Sequence, residues 1–247
     1  MYMDKQIGNF MDLLEENGWL ENSIVVVASD NGGCPGYGGS NYPLRGIKHM
    51  YFEGGSKVPA LVYSRSHIPV EMRGTTYDSM MHVTDWLPTL LTASVGSANI
   101  SGSAGALDGV NHWSAMTSMN NTSPRTELLY NWDPYQWSRK NARLMEYAPK
   151  GAFRSGKWKF ISREWCTGWY SFDNTLEDKL LDMEACPKRG ECSNCGATCV
   201  DSPEYIPADW LFNLEEDPRE QHNLIDDYPH VANLLRARAD EIAMSEW

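Results

Sequence analysis

The chain has 247 residues, which is enough for one or two domains with a buried core. Its 33 acidic and 21 basic residues give a formal net charge of −12, and this balance excludes non-specific nucleic-acid binding through a broad basic surface. No apolar run approaches the about 18 residues that a membrane span needs. The sequence therefore predicts no nucleic-acid partner and no membrane span, and no signal sequence follows Met1.

A helix and then a strand are predicted at the start of the chain. Apolar residues recur at helical spacing over residues 3–14, and Asn17-Gly18 is a stop signal. Residues 24–28 are five consecutive apolar residues. Such a run is typical of a strand that is buried on both faces inside a parallel sheet.

Asp30 and Asn31 follow this strand. In open α/β sheets, ligands bind beyond the carboxyl ends of the strands. A carboxylate beside an amide oxygen suits a hard cation such as calcium or magnesium, and Gly32 and Gly33 allow the backbone to turn close to such an ion. The alternative interpretation is an ordinary turn, in which both side chains bond to their own backbone.

The next segment adds two cations and another strand. Arg45 and Lys48 precede the Glu-Gly-Gly sequence of residues 53–55, and a second apolar strand is predicted over residues 60–63. Further along, Thr84 or Asp85 caps a helix that has a proline in its first turn. This alternation of strands and helices, through about residue 92, indicates part of a doubly wound sheet.

The second half of the chain has a different pattern. Short strands are predicted at residues 128–130, 157–162 and 210–214, with long polar loops between them. A last helix follows, with Pro229 in its first turn. Short strands with one amphipathic helix indicate a small α+β domain with an antiparallel sheet.

Several of these motifs resemble those of the sulfatase family, and in particular of its arylsulfatase B-like branch. Sulfatases carry an S-D-N-G-G strand end, a P-L-R-G-x-K segment and an E-G-G segment before the next strand, and the chain has all three in this order. Four further segments resemble sulfatase segments: residues 85–90 (D-W-L-P-T-L), 107–109 (L-D-G), 156–159 (G-x-W-K) and 211–224 (L-Y-D-L-x-x-D-P-x-E-x-x-N-L).

The resemblance implies a fold and two domains. Residues 1–123 would be the C-terminal part of the catalytic α/β domain, within an alkaline-phosphatase-like doubly wound sheet. Residues 124–247 would be the small C-terminal α+β domain with an antiparallel sheet. Only the C-terminal half of a sulfatase is represented, because the family's formylglycine arises from Cys or Ser in a C-x-P-S-R-type motif that the chain lacks. The missing N-terminal half would carry the formylglycine and complete both the fold and the site.

The resemblance also assigns roles to individual residues. Asp30 and Asn31 would hold one calcium ion. Lys48 would be the catalytic and sulfate-binding residue, because an ammonium group stabilises charge that develops during S–O cleavage. The alternative for Lys48 is a surface lysine. Arg45 would be mainly structural, paired with Glu53.

Two further features of the sequence each have two interpretations. Residues 139–163 contain eight basic residues and one acid, which either steer a sulfated glycan toward the site or form a solvated strand face. His82 could act as a general acid near neutral pH, but its place just before a helix favours a structural role. The basic residues of the stretch are Arg139, Lys140, Arg143, Lys150, Arg154, Lys157, Lys159 and Arg163.

Cysteines and glycosylation sequons indicate an oxidising compartment. Four cysteines cluster within a polar stretch, either as a disulfide-stapled loop or as a zinc site, and the single C-x-x-C spacing among them favours disulfides. They are Cys186, Cys192, Cys195 and Cys199. Sequons make Asn99, Asn120 and Asn121 candidate glycosylation sites. We expect the parent protein to be lysosomal or extracellular.

Three functions remain open on these observations. The first is a sulfatase, a sulfuric ester hydrolase acting on an aryl or carbohydrate sulfate ester in the complete protein, with this chain inactive alone. The second is a non-catalytic protein that binds sulfated glycans. The third is another hydrolase of the alkaline phosphatase superfamily, although such relatives hold two metals with extra Asp and His ligands, and no histidine adjoins Asp30-Asn31.

Overall fold

The structure is a computed structural model that describes residues 2–34, 37–97, 107–119, 122–138, 143–164 and 208–245. Its α-helices are α1 (Tyr2–Glu16), α2 (Glu53–Ser56), α3 (Trp86–Val95), α4 (Trp113–Met116) and α5 (Pro229–Ser245). Its strands are β1 (Val25–Ala28), β2 (Ala60–Tyr63), β3 (Glu127–Ser138), β4 (Arg143–Ser155), β5 (Trp158–Glu164) and β6 (Ala208–Asn213). None of the described helices is long and apolar enough to cross a membrane.

The chain divides into two compact units. The first consists of Met1–Ala28 and Ala60–Thr126, and the second of Ser29–Pro59 and Glu127–Trp247. The predicted domain boundary at residue 124 lies near the second change of unit, whereas Ser29–Pro59 groups with the C-terminal residues. The division into a catalytic part and a C-terminal domain stays a prediction.

The first unit contains a two-stranded sheet. β1 pairs with β2 in antiparallel register, from Val25 opposite Tyr63 to Ala28 opposite Ala60. The neighbour of β1 is therefore antiparallel and not parallel as predicted, and within this chain the residues of β1 are half-buried or exposed. A run of β-branched residues specifies an extended backbone, but it fixes neither the direction of the neighbouring strand nor what packs on each face.

Helix α1 is present where the apolar periodicity predicted it. None of its residues is buried, and the side chains of Phe10 and Leu13 are each 51% exposed. Within the described part of the first unit, its apolar stripe is thus largely open.

A buried carboxylate organises the rest of the first unit. Asp85 accepts hydrogen bonds from the backbone amides of His82 and Val110, each at 2.7 Å. The Arg125 guanidinium donates to both of its oxygens, at 2.8 and 2.5 Å, and His112 Nε2 lies 3.1 Å from Oδ2. Burial would raise the pKa of the Asp85 carboxyl, but the bonds from His112, Arg125 and the two amides hold that pKa well below its usual range.

The helix that follows Asp85 begins as predicted. Asp85 is the N-cap of α3, and Pro88 lies in the first turn of that helix. His82 caps the preceding 3-10 turn, because its Nδ1 lies 2.9 Å from Thr84 Oγ1 and accepts from the Thr84 amide. The structure thus gives His82 the capping contacts of a structural residue.

The second unit is built on a four-stranded antiparallel sheet in the order β3-β4-β5-β6. The three strands predicted in the second half of the chain are confirmed as β3, β5 and β6, and α5 begins at the predicted Pro229. Strand β4 lies within the basic stretch of residues 139–163, for which a solvated strand face was one of the two interpretations, but no separate strand was predicted there.

Both faces of this sheet are buried, and the side chains alternate between them. Phe160 and Leu211 pack on one face against α5, whereas their neighbours Ile161 and Phe212 pack on the other. The second face is covered by the segment that precedes and begins α2, through Ile47, Met50 and Phe52. The sheet therefore anchors this segment within its own unit.

We expect the substitution Asp85→Asn to lower the free energy of unfolding by about 3–5 kcal/mol, because it removes a fully buried anion and leaves the half-buried Arg125 guanidinium without its partner. Urea unfolding of the protein at pH 7 measures the change. Asp78→Asn is the matched control, since Asp78 is an exposed acid of the same unit, and it should change the free energy by less than about 0.5 kcal/mol. Equal losses in the two variants would contradict the role of Asp85.

Candidate functional site

The segment after β1 forms an open pocket of about 480 Å³. All of its lining residues lie between Ser29 and Pro59, within the second unit. They include the three predicted site residues Asp30, Asn31 and Lys48. The structure thus brings together side chains that are up to 18 positions apart in the sequence.

Close backbone contacts hold the two sides of the pocket segment together. The amide of Gly32 donates to Gly55 O at 3.0 Å, and the amide of Lys48 donates to Gly33 O at 3.1 Å. A Cβ on Gly32 would lie 1.9 Å from Gly54 O, so only glycine fits there. The two glycine-rich motifs of the sequence are thus packed directly against each other.

Asn41 fixes the turn between these motifs, although it belongs to none of the motifs found in the sequence. Its Oδ1 accepts from the Gly33 amide at 2.5 Å. Its Nδ2 donates to Gly33 O at 2.9 Å and to Gly46 O at 3.1 Å. One side chain therefore satisfies backbone groups on both sides of the pocket segment.

Asp30 and Asn31 provide oxygen ligands at the pocket. The Asp30 side chain is exposed, and Asn31 Nδ2 donates to Gly32 O at 3.0 Å. This local bond agrees in part with the turn interpretation, yet it leaves the amide oxygen of Asn31 as a remaining ligand atom. Two oxygens of this kind fit a calcium ion as part of a set of about six to eight. Within the described residues, no group of three or more His, Cys, Asp or Glu side chains could hold a metal.

Arg45 has the structural environment that the sequence favoured. Its guanidinium is buried and lies 4.5 Å from the centroid of the Phe52 ring and 4.6 Å from that of Trp210. Its Nη1 donates to Glu220 O at 2.8 Å. Stacking on two aromatic rings fits a planar guanidinium, which is more weakly hydrated than an ammonium group.

A buried ion cluster, which we call the Lys159 cluster, lies at the start of α2. It consists of Lys159, Glu53 and Glu220. Lys159 Nζ lies 2.7 Å from Glu53 Oε1 and 3.0 Å from Glu220 Oε1, and Glu220 Oε2 accepts from the Glu53 amide at 2.6 Å. Lys159 is wholly buried, so it takes no part in the predicted steering of a glycan.

The two carboxylates of the Lys159 cluster differ in proton affinity. Burial and the charge of Glu53 raise the pKa of Glu220 to about 7, against the attraction of Lys159. Burial acts in the same direction on Glu53, but Lys159 outweighs it and lowers the pKa of that group. Glu220 Oε1 is buried, and its contact with the Lys159 ammonium at 3.0 Å is the ion pair that opposes this rise in the pKa of Glu220. These features fit a pair of acids that retains one proton near neutral pH.

The sequence contains a signal for this cluster. Lys159 lies between the apolar residues Trp158 and Phe160, in a strand that is buried on both faces. A lysine in such a run requires a buried anion. Lys159 and Glu220 both belong to segments that resemble sulfatase motifs, but the resemblance predicts no role for either residue.

Some predicted features lie outside the described residues. These are the sequons at Asn99, Asn120 and Asn121 and the cysteine cluster from Cys186 to Cys199. Cys34 is disulfide-bonded, and no described cysteine is free.

Comparison with known proteins identifies the class. Residues 1–97 match the family model named Sulfatase. The chain belongs to the sulfatase family, which confirms the resemblance found in its motifs. It is 31% identical to arylsulfatase J of Mus musculus over 245 residues, covering 97% of this chain and 38% of that protein. It is 32% identical to N-acetylgalactosamine-6-sulfatase of Homo sapiens over 227 residues, covering 90% and 37%. The chain thus spans about two fifths of the length of these relatives.

Solved structures support the same fold. The crystal structure of Ps i-CgsB in complex with k-i-k-neocarrahexaose matches 96% of this chain and 40% of its own, with a TM-score of 0.61 and 21% identity. A putative sulfatase from Bacteroides fragilis matches 96% and 38%, with a TM-score of 0.57 and 17% identity. At these identities the likeness shows the fold alone, and it confirms the predicted alkaline-phosphatase-like class.

The substitution Glu220→Gln should reduce the pH dependence of stability between about pH 5 and pH 7. Native Glu220 keeps its proton up to a pKa of about 7, whereas the unfolded chain releases it near pH 4.5. The stabilisation that comes from protonated Glu220 is therefore complete below pH 4.5 and is lost as the pH rises through 7. Over this range the free energy of unfolding falls by up to about 1.4 kcal/mol per pH unit. Glutamine cannot ionise and removes this slope. Urea unfolding across that range measures it, and the exposed control Glu216→Gln should keep the slope of the wild type. An unchanged slope in Glu220→Gln would show that Glu220 does not retain the proton.

Proposed function

We propose that this chain forms part of the active site of a sulfatase that hydrolyses aryl or carbohydrate sulfate esters. The observation that supports this function best is the shared pocket of Asp30, Asn31 and Lys48. Because the chain spans about two fifths of its relatives, the activity belongs to the complete protein.

Lys48 is the catalytic residue that this chain contributes. Its side chain is half-buried at the pocket, and its backbone is fixed by the bond to Gly33. The ammonium donates hydrogen bonds to the sulfate group. It stabilises the negative charge that moves onto the ester oxygen as the S–O bond breaks. A partly desolvated cation of this kind is more effective than one in bulk water, because the local dielectric constant is lower.

Asp30 and Asn31 would hold one calcium ion at the pocket that Lys48 also lines. A bound divalent ion polarises a sulfate oxygen as a Lewis acid. The exposed Asp30 carboxylate supplies charge, and the Asn31 carbonyl supplies a neutral ligand whose amide nitrogen is already used by Gly32. The other ligands come from the N-terminal half of the complete protein.

The nucleophile also comes from that N-terminal half, as a formylglycine. No C-x-P-S-R-type motif occurs in the 247 residues of this chain. The half-buried or exposed residues of β1 and the open apolar stripe of α1 support the requirement for another polypeptide segment to complete the fold. The disulfide of Cys34 supports a lysosomal or extracellular location, where disulfides persist.

A second candidate function is the binding of sulfated glycans without turnover. It is favoured by the presence of the anion-facing pocket in a chain without the nucleophile motif. The two functions differ in what the complete protein does with a sulfate ester.

The isolated chain should not hydrolyse 4-nitrocatechol sulfate, because it lacks the nucleophile. The complete protein, with the N-terminal half restored, should release 4-nitrocatechol under the same conditions. Colorimetric assays of the two preparations test both statements. Turnover by the isolated chain would contradict the proposed division of the site, and absence of turnover in the complete protein would favour the glycan-binding candidate.

In the complete protein, Lys48→Ala should reduce kcat by about 10²- to 10³-fold, as the loss of one charge-stabilising donor does in other enzymes. The effect on KM should be smaller, because the interaction strengthens as the S–O bond breaks. Steady-state kinetics with the same ester measure both constants. Lys5→Ala is the matched control, since Lys5 is an exposed lysine on α1. A loss of less than about tenfold in Lys48→Ala would remove Lys48 from the catalytic step.

A further inference from the structure

Lys57 is a second cation at the same pocket. It is the C-cap residue of α2, where its backbone amide donates to Glu53 O at 2.8 Å, and its side chain is exposed. We propose that Lys57 binds a second anionic group of the substrate. The preferred substrate would then carry a sulfate or a carboxylate in addition to the ester that is cleaved. This inference rests on the proposed function and narrows its substrate class.

The charge of the pocket supports this assignment. Lys48 and Lys57 are its two basic residues, and Asp30 is its one acid. The lining is thus positive on a chain whose net charge is −12. A sulfate monoester carries a single negative charge, so it can pair fully with only one of the two lysines. A substrate with two anionic groups matches the pocket better.

Lys57 is not required to neutralise a neighbouring acid. The Glu53 carboxylate is already paired with Lys159 at 2.7 Å inside the Lys159 cluster. Lys57 lowers the pKa of Glu53 only after the larger influences of burial, Lys159 and Arg154. Among the described residues, the Lys57 ammonium forms no ion pair within 4.0 Å. Its charge is therefore available to a ligand.

The backbone around Lys57 is held in a fixed relation to the rest of the pocket. Gly55, two residues earlier, accepts the amide of Gly32 at 3.0 Å. Pro59, two residues later, accepts the amide of Ser29 at 3.2 Å. The residues on both sides of Lys57 are thus bonded to the segment that carries Asp30 and Asn31. A cation anchored in this way can select a substrate by the spacing of its two anionic groups.

The test compares substrates that differ only in the second anion. The complete protein is assayed with a monosulfated monosaccharide, with its disulfated form and with a monosulfated uronic acid. Lys57→Gln should lower kcat/KM by about tenfold or more for at least one dianionic substrate, as expected for the loss of a hydrogen bond to a charged group. It should change the value for the monoanionic sugar less than about twofold. The dianionic substrate that is affected shows whether the second group is a sulfate or a carboxylate.

Two matched variants complete the experiment. Lys57→Arg retains the charge and should keep the preference for the dianionic substrate, which separates loss of charge from misfolding. Lys5→Gln removes an exposed lysine elsewhere and should leave the preference unchanged. Equal losses on mono- and dianionic substrates in Lys57→Gln, or no loss on either dianionic one, would overturn the role of Lys57. The proposed function fails separately, if Lys48→Ala leaves the activity on every substrate intact.

Discussion

The position of the pocket depends on one fully buried ammonium group. Transferring a charge from water to a protein interior costs several kcal/mol unless anions and hydrogen bonds compensate for it. Lys159 is compensated by Glu53 and Glu220, which reach it from α2 and from the loop after β6. Because loss of either acid would leave the lysine without an adequate partner, the start of α2 cannot move away from strand β5 without a large cost.

This constraint is transmitted to the pocket through the backbone. The helix that begins at Glu53 contains Gly54 and Gly55, and Gly55 is bonded to Gly32 beside the predicted metal ligands. Apolar packing of Phe52 on the sheet and the stacked guanidinium of Arg45 act in the same place. The segment that carries the site therefore packs on the antiparallel sheet of β3 to β6, although it precedes that sheet in the chain. Such support is what a site needs to hold its side chains in place for a reaction.

The elements with local signals were predictable from the sequence. Helix α1 and helix α5 followed from apolar periodicity and from Pro229, and strands β5 and β6 from short runs of apolar residues. The antiparallel pairing of β1 was not predictable, because strand direction depends on a partner that is distant in the chain. In the candidate site, too, the residues of local motifs were predictable and the long-range contacts were not. Asp30, Asn31 and Lys48 belong to compact motifs, whereas Glu53 and Lys159 meet across 106 positions and no local pattern links them.

The first unit also contains a buried charge that fixes distant parts of the backbone, the Asp85 carboxylate. The amides of His82 and Val110 both donate to Asp85, and α3 ends at Gly96 in the left-handed conformation with φ 76°. The Asp85 carboxylate thus joins two backbone amides that lie 28 positions apart in the chain. A change to that one side chain therefore acts on the start of α3 and on the segment at Val110 at the same time.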